Sequence, residues 1–202
     1  RQVETCGTWP DALTQWRLTF VPKGQNAAQV TEATKVRPIA IGSLIFRAYA
    51  KRRFHQLGTH LTQCLPPLQV GGLPHLGLDT LVLAMQNETS FQSHPYAASL
   101  DFQKAFDSAD WSLVVQLLPR AGVPDAIVSA LAGMWKSQTR WVTLGTCVAK
   151  RPLRKLAALL QGDPWAPLGL SLVLAPVIRR IASRIPAGFQ ITYMDDRTGL
   201  LD

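Results

Sequence analysis

Two stretches of this sequence that favour β-strand end in aspartate, and this feature most restricts the fold. The stretch "YAASLD" ends at Asp101, and "FQITYM" is followed directly by Asp195 and Asp196. Carboxylates that a fold brings together raise one another's pKa unless a cation joins them. The strand ends therefore either meet around a divalent cation, or Asp195 and Asp196 form a solvated turn while Asp101 caps a helix.

A cation at these strand ends would be a hard one. Carboxylate oxygens are the ligands that Mg²⁺ prefers, particularly when the substrate carries phosphates. A pair of such ions activates an attacking hydroxyl and stabilises a leaving pyrophosphate. Aspartate is also common in ordinary turns, so the Asp195–Asp196 pair alone leaves both interpretations open.

Composition predicts an ordered, basic globular chain. It has 202 residues, of which 47% are hydrophobic, and 21 Lys and Arg against 13 Asp and Glu give a formal charge of +8. An acidic middle region lies between two basic flanks. A positive charge of this size favours a polyanionic partner such as a nucleic acid.

Cysteine usage favours a reducing intracellular compartment, either nuclear or cytoplasmic. Cys6, Cys64 and Cys147 are far apart and lack a Cys-x-x-Cys pairing, so neither a disulfide framework nor a zinc site is predicted. The longest apolar run, residues 164–178, is shorter than the roughly 20 residues that cross a bilayer. We expect it to be a buried helix and expect no membrane partner.

The ends of the sequence carry no readable targeting signal. The first residue is Arg1 rather than methionine, and no charged-then-apolar leader follows it. We therefore expect the chain to be a piece of a longer protein, and its oligomeric state is not indicated.

The order of predicted elements indicates an α+β fold rather than a doubly wound parallel sheet. A strand at 16–23 and a second at 36–41 resemble a hairpin. Ser43 is expected to N-cap a helix through about Leu57, with Ile45, Ala48 and Tyr49 on one face. The other predicted helices are 79–86, 111–118, 125–135 and one running towards Arg184, and the other predicted strands are 96–101, 140–145, 189–194 and the stretch after Asp196.

Five segments, in order, resemble a known family. Residues 99–111, "SLDFQKAFDSADW", resemble the motif LDFSKAFDSVDH, and residues 161–170, "QGDPWAPLGL", resemble QGDPLSPLLF. The "YMDD" at 193–196 matches a metal-binding hairpin, residues 35–57 are similar to a segment reading RPISLL, and residues 69–82 are a weaker match. Together they resemble the reverse transcriptases of non-LTR (LINE-type) retrotransposons and group II introns.

The resemblance implies a right-hand polymerase with fingers and palm. Residues 1–90 would be a fingers-like region with a basic hairpin and helix. Residues 91–202 would be a palm whose antiparallel sheet is backed by helices and whose C-terminal part is incomplete. The thumb would be absent, so we expect the chain to be inactive by itself.

The resemblance also implies site residues. Asp101, Asp195 and Asp196 would bind two Mg²⁺ ions, with Mn²⁺ as an alternative, and would be the catalytic residues. The substrate-binding residues would be Lys23 and Arg37, which meet the template and the triphosphate, Phe106, which lies beneath the incoming sugar, and Gln161 and Gly162, which lie against the nascent base pair.

Several positions keep alternatives open at this stage. Phe106 is otherwise a core phenylalanine, and Asp107 fits a structural role better than a ligand role. The side chains of Arg47, Lys51, Arg52 and Arg53 either follow the template backbone or face solvent.

The resemblance implies an RNA-directed DNA polymerase that uses an RNA template, a DNA primer and deoxynucleoside triphosphates. An RNA-directed RNA polymerase shares the palm, but "QGDP" and Phe106 argue against it. A decayed polymerase domain that only binds nucleic acid is the other alternative. It is suggested by unusual residues in the family motifs, namely Trp165, Gly169, Arg197 and the "GGLPHLG" loop.

Overall fold

The computed structural model of the protein describes residues 2–22, 36–66, 69–71, 78–90, 96–144, 146–153, 157–184, 189–193 and 196–201. These residues form a mixed α+β structure, as predicted, with two four-stranded sheets. The helices are α1 (Gln2–Cys6), α2 (Leu44–Gln63), α3 (Leu78–Ser90), α4 (Ala105–Ser108), α5 (Trp111–Leu117), α6 (Asp125–Ser137) and α7 (Ala166–Arg184). The strands are β1 (Gln15–Pro22), β2 (Val36–Ile41), β3 (Gln69–Val70), β4 (Tyr96–Asp101), β5 (Thr139–Leu144), β6 (Cys147–Val148), β7 (Phe189–Tyr193) and β8 (Asp196–Leu201).

The first sheet has the strand order β2-β1-β5-β6. Strands β1 and β2 form the predicted antiparallel hairpin, with Arg17 opposite Ile41 and Pro22 opposite Val36. Strand β1 also pairs with β5, and this pairing is parallel. Parallel neighbours require a long crossover connection, and the strand pattern of the sequence does not predict this one.

The second sheet has the strand order β3-β7-β8-β4. Strands β7, β8 and β4 are antiparallel to their neighbours, whereas the short β3 joins the edge in parallel with β7. The predicted antiparallel arrangement is therefore correct for β7, β8 and β4. The prediction did not include the parallel edge strand β3. Each sheet combines strands from both sides of residue 90, and the division into residues 1–90 and 91–202 stays a prediction.

Helix α2 packs through a different face from the predicted one. Ser43 is its N-cap, as expected, because its Oγ accepts a hydrogen bond of 3.2 Å from the Phe46 amide. The buried positions recur at helical spacing, whereas Ile45 is 60% exposed. The predicted face is therefore wrong at Ile45 and Ala48, which are exposed because the ring of Phe46 enters the core instead, whereas the predicted Tyr49 is half-buried and packs against the core. The buried residues of α2 are Phe46, Ala50, Phe54, Gly58 and Leu61.

Indole rings connect the helices within the core. Trp9 packs edge-on against Phe46 and Tyr49, with centroid distances of 5.4 and 5.3 Å, and donates its indole N–H to the Ala130 carbonyl at 2.7 Å. The buried Trp165 donates its indole N–H to the Ala50 carbonyl at 2.9 Å. A buried indole N–H needs an acceptor. The first bond attaches Trp9, whose ring packs on α2, to α6, and the second attaches the residue before α7 to α2.

Helix α7 is the predicted buried apolar helix. Its buried residues run from Ala166 to Ile178, and the helix continues through Pro176. Within the described part of the chain it alone is long and apolar enough to span a membrane by length and composition, and 50% of that apolar window is buried in the fold. A core helix of this length passes the same test.

Candidate functional site

The ends of β4 and β8 bring two of the predicted metal ligands to neighbouring backbone positions. Asp101, the last residue of β4, lies opposite Asp196, the first residue of β8. Directly opposed residues of an antiparallel pair have Cα atoms about 4.5 to 5.5 Å apart. The Asp101 side chain is exposed. The backbones of two aspartates that are far apart in sequence are therefore neighbours at one end of the sheet.

The third predicted ligand, Asp195, lies outside the described residues, between the paired ends Tyr193 and Asp196. Asp196 itself is described only through its backbone. Among the described residues, no group of three His, Cys, Asp or Glu side chains forms a metal-binding cluster. The three-ligand site therefore stays a prediction.

A tight turn follows Asp101 and leads to Phe106. Lys104 has φ of 53°, in the left-handed region that side-chain-bearing residues rarely adopt. This turn starts α4, in which Phe106 is buried in the hydrophobic core. Burial agrees with the core alternative for Phe106, and its contact with a sugar stays a prediction.

Asp107 acts on a buried arginine. Arg140 on β5 is buried and donates from Nη2 to the Ala158 carbonyl at 3.0 Å. Burial lowers the pKa of Arg140 to about 10, and the negative charge of Asp107 opposes that change. The structure therefore agrees with the structural role expected for Asp107.

The turn that holds Gln161 and Gly162 is fixed to β2. The Ala40 amide donates to the Gln161 carbonyl at 2.7 Å. Gly162 has φ of +116°, and a Cβ at this position would collide with the Ala40 carbonyl oxygen. The fold itself therefore requires glycine here. Contact of this turn with a base pair stays a prediction, as does the role of the exposed Arg37 on β2.

Backbone hydrogen bonds join the segment after Asp101 to the segment before Gln161. The Trp111 amide donates to the Ala157 carbonyl at 2.8 Å, and the Leu159 amide donates to the Ala109 carbonyl at 3.0 Å. Between these two bonds, residues 110 and 158 form an antiparallel bridge. The two sequence motifs are therefore structural neighbours.

Asp163, in the same turn, is a buried acidic residue that is not among the predicted site residues. The residue is 4% exposed, and its carboxylate accepts two hydrogen bonds, from the Trp135 indole N–H at 2.7 Å and from the Trp165 amide at 2.8 Å. Burial raises the pKa of Asp163 to about 6, although both hydrogen bonds oppose this change. The available signal was the position of an aspartate just before an apolar helix, which is typical of a cap.

Arg53 has a partner that neither sequence alternative included. Its guanidinium makes two bonds to the Glu4 carboxylate, Nε to Oε1 at 2.6 Å and Nη2 to Oε2 at 2.8 Å, and the Tyr49 hydroxyl donates to Oε1 at 2.9 Å. Burial raises the pKa of Glu4, but the bonds from Arg53 and Tyr49 outweigh burial and hold that pKa below its usual value. Arg53 therefore attaches α1 to α2.

The structure describes some, but not all, of the remaining predicted basic residues. Arg47, Lys51 and Arg52 on α2 are exposed, which fits both alternatives given for them. Lys23 lies outside the described residues. The backbone of Arg197 lies opposite Leu100 and Thr192 within the second sheet.

Comparison with known proteins decides the family. A profile described as "Reverse transcriptase (RNA-dependent DNA polymerase)" matches residues 21–200, which is most of the chain. The chain belongs to the reverse transcriptase family. The predicted resemblance to reverse transcriptases of the non-LTR type is confirmed.

Curated relatives of this reverse transcriptase domain come from retrotransposable elements. It is 26% identical over 186 residues to the Pol polyprotein of the type-2 element R2DM of Drosophila melanogaster, covering 90% of this chain and 17% of the relative. It is 26% identical over 182 residues to the Pol polyprotein of the type-1 element R2 of Popillia japonica, covering 88% of this chain and 25% of the relative. The domain thus spans a quarter or less of these two polyproteins.

A solved structure shares the fold of this domain. The apo telomerase of Candida tropicalis, truncated from its C-terminal domain, aligns with a TM-score of 0.64 over 94% of this chain and 44% of the telomerase chain. The sequence identity is 11%. This similarity therefore concerns the fold alone.

Proposed function

We propose that this domain supplies the fingers and palm of an RNA-directed DNA polymerase. The protein that contains it would extend a primer 3′-hydroxyl on an RNA template with deoxynucleotides. The observation that carries the proposal is the pairing of Asp101 with Asp196 across β4 and β8. Family membership supports it, because a nucleotidyltransferase reaction is the general activity of reverse transcriptases.

Asp101, Asp195 and Asp196 would hold the divalent ions. The donor set fits Mg²⁺, because all three residues offer hard carboxylate oxygens and Asp101 is exposed to solvent at the strand end. Bound ions of this kind stabilise the charge that develops on the attacking and leaving oxygens. The metal-binding role of these residues rests on the family motif and on the strand pairing together.

The other site residues would position the substrates. The Arg37 guanidinium offers paired N–H donors to a triphosphate, and Lys23 would act beside it. The turn at Gln161 and Gly162, which is fixed to β2, would support the nascent base pair, and Phe106 would lie beneath the incoming sugar. Catalysis by these residues is a matter of orientation and electrostatics.

Replacing Asp101 tests the proposal directly. In the polymerase that contains this domain, we expect Asp101→Asn to lower Mg²⁺-dependent primer extension on an RNA template by about 100-fold or more. The matched control is Asp125→Asn, which removes an exposed carboxylate in the first turn of α6. Primer extension by Asp101→Asn at the rate of the control would sink the metal assignment.

An inactive descendant that only binds nucleic acid is the second candidate. The position of Arg197 directly after Asp196 favours it. Two other unusual residues do not, because the fold accommodates both. Trp165 is buried and bonded to Ala50, and a Cβ at Gly169 would lie 3.0 Å from Val114. The unmodified protein decides between the candidates, since the inactive descendant predicts no primer extension in the same assay.

A further inference from the structure

A buried carboxylate lies at the end of the turn that holds Gln161 and Gly162. The two oxygens of Asp163 accept hydrogen bonds from donors in different parts of the fold. Oδ1 accepts from the Trp165 amide at 2.8 Å, and Oδ2 accepts from the Trp135 indole N–H at 2.7 Å. Each oxygen thus has a donor of its own.

The core holds both tryptophans in place. Trp135 is a buried residue of α6, and the buried Trp165 directly precedes α7. The Trp165 indole N–H donates to the Ala50 carbonyl at 2.9 Å, and its ring packs edge-on against Phe54, with centroids 5.5 Å apart. The carboxylate of Asp163 therefore connects the turn to α6 directly and to α2 through Trp165.

The other end of the turn is fixed to β2. The Ala40 amide donates to the Gln161 carbonyl at 2.7 Å, and the Ala40 carbonyl lies where a Cβ of residue 162 would stand. The turn is therefore held between β2 and the two tryptophans. A change in the side chain of Asp163 is transmitted to the backbone of Gln161 and Gly162.

A carboxylate at this position is unfavourable for the stability of the core. Burial raises the pKa of Asp163 to about 6, and no charged side chain of the described residues contributes to this shift. The charged residues nearest in sequence to its contacts on α6, β2, α2 and α7 are exposed, namely Lys136, Arg37, Lys51 and Arg179. A neutral side chain costs less to bury than an unpaired charge, whereas a carboxylate offers an acceptor oxygen to each of two donors.

We propose that Asp163 is a positioning residue for the incoming nucleotide. Its ionised carboxylate holds the turn at Gln161 and Gly162 in the orientation that receives the nascent base pair. This inference rests on the proposed function, because it assigns Asp163 to the same polymerase site. Asp163 is buried and acts through the turn, so its replacement changes nucleotide binding more than the chemical step.

Single-nucleotide incorporation by the polymerase that contains this domain tests this role. At about pH 8, we expect Asp163→Asn to raise the KM for the deoxynucleotide about 10-fold and to change kcat less than about 2-fold, because one buried donor loses its acceptor. A purely structural role would lower the fraction of folded enzyme, and hence the apparent kcat, and leave KM unchanged. Asp125→Asn on the surface of α6 is the matched control and should change neither constant.

Removal of the second donor provides a rescue. Trp135→Phe keeps an aromatic ring in the core but removes the indole N–H, so that a side chain with one acceptor oxygen is then sufficient. In the Trp135→Phe background we expect Asp163→Asn to raise KM by less than about 2-fold. An equal rise in KM in both backgrounds would exclude the paired-donor role of the carboxylate.

The pH dependence of KM is a further readout. Protonation of Asp163 below about pH 6 turns one acceptor oxygen into a donor, so the unmodified enzyme should then resemble Asp163→Asn. We expect the KM of Asp163→Asn, divided by that of the unmodified enzyme, to fall from about 10 at pH 8 to about 1 at pH 5. A ratio that stays constant over this range would overturn the requirement for an ionised carboxylate.

Amide hydrogen exchange in the 202-residue chain separates this inference from the proposed function. The Ala40 amide reports on the bond to the Gln161 carbonyl, and the Leu118 amide, which donates to the Val114 carbonyl, reports on α5. We expect Asp163→Asn to accelerate exchange at Ala40 about 10-fold relative to Leu118. Equal acceleration at both amides, or none, would overturn the positioning role. An unmodified protein that extends no primer would overturn the proposed function, and the exchange result would then decide whether Asp163 holds the turn.

Discussion

At the residue scale, the buried carboxylate of Asp163 has a structural role next to Gln161 and Gly162. Two donors reach it from separate places, the Trp135 indole on α6 and the Trp165 amide just before α7. A carboxylate offers an acceptor oxygen to each, whereas the amide of asparagine offers only one oxygen. The bonds anchor the end of the Gln161–Gly162 turn, and the buried charge makes the stability of the fold depend on pH.

The pKa of Asp163 predicts the direction of that dependence. The folded protein raises this pKa from an ordinary value of 3.8 to about 6. The protonated carboxyl therefore favours folding below pH 3.8, and its contribution is lost as the pH rises through about 6. The test is the free energy of unfolding in urea, measured at pH 4 and at pH 7 for the unmodified chain and for Asp163→Asn. Between pH 4 and pH 7, we expect the unmodified chain to lose on the order of 2 kcal/mol relative to Asp163→Asn.

The asparagine variant also leaves one donor unpaired at every pH, so only the change with pH is diagnostic. Asp125→Asn on the surface of α6 is the control, and its effect should be nearly the same at both pH values. If the free energies of unfolding of Asp163→Asn and the unmodified chain differ by the same amount at pH 4 and pH 7, Asp163 does not titrate between these pH values.

The structural roles of some residues can be predicted from the sequence, and those of others cannot. The position of Asp101 at a strand end could be predicted, because the apolar stretch before it stops at a charged residue. The reason for glycine at Gly162 could not, because the colliding carbonyl belongs to Ala40, on a strand distant in sequence. The partner of Arg53 could not be predicted either, because its acceptor Glu4 belongs to another helix.

At the element scale, α1 is held to α2 by the ion pair between Glu4 and Arg53. The two side chains are partly buried, with 14% and 30% exposed, so solvent screens them only in part. We expect a double-mutant cycle of Glu4→Gln and Arg53→Gln to give a coupling free energy of about 1 to 2 kcal/mol in urea unfolding.

This coupling should depend on pH in the opposite sense from Asp163. The folded protein lowers the pKa of Glu4, so the coupling is present above the ordinary glutamate pKa of 4.5 and is lost as the pH falls through the folded value. The matched control cycle pairs Glu4→Gln with Arg52→Gln, an exposed neighbour on α2. Equal coupling in both cycles would contradict a specific contact.

Elements were predicted well where local signals mark their ends. The strands at 36–41 and 96–101 have the predicted bounds, and Ser43 caps α2 through its side chain. The parallel pairing of β1 with β5 was missed because strand periodicity does not reveal which distant strand lies alongside. The packed face of α2 was misjudged because Ile45 and Phe46 are both apolar, and the core selects the larger ring.

At the scale of the whole molecule, the fold joins motifs that are far apart in the sequence. The second sheet places β4 beside β8, and the bridge between residues 110 and 158 places the turn at Gln161 near the segment that follows β4. The fold is shared with a telomerase at 11% identity. This arrangement is therefore compatible with different side chains at most positions.

The central claim is that Asp101, Asp195 and Asp196 form one divalent-metal site. Paramagnetic broadening of backbone amide NMR signals by Mn²⁺, added below one equivalent to the 202-residue chain, tests it most directly. We predict that the signals at the ends of β4 and β8 broaden first and together, and that Asp101→Asn abolishes this effect while Asp125→Asn preserves it. Broadening that starts at other carboxylates, or that is unchanged in Asp101→Asn, would contradict the claim.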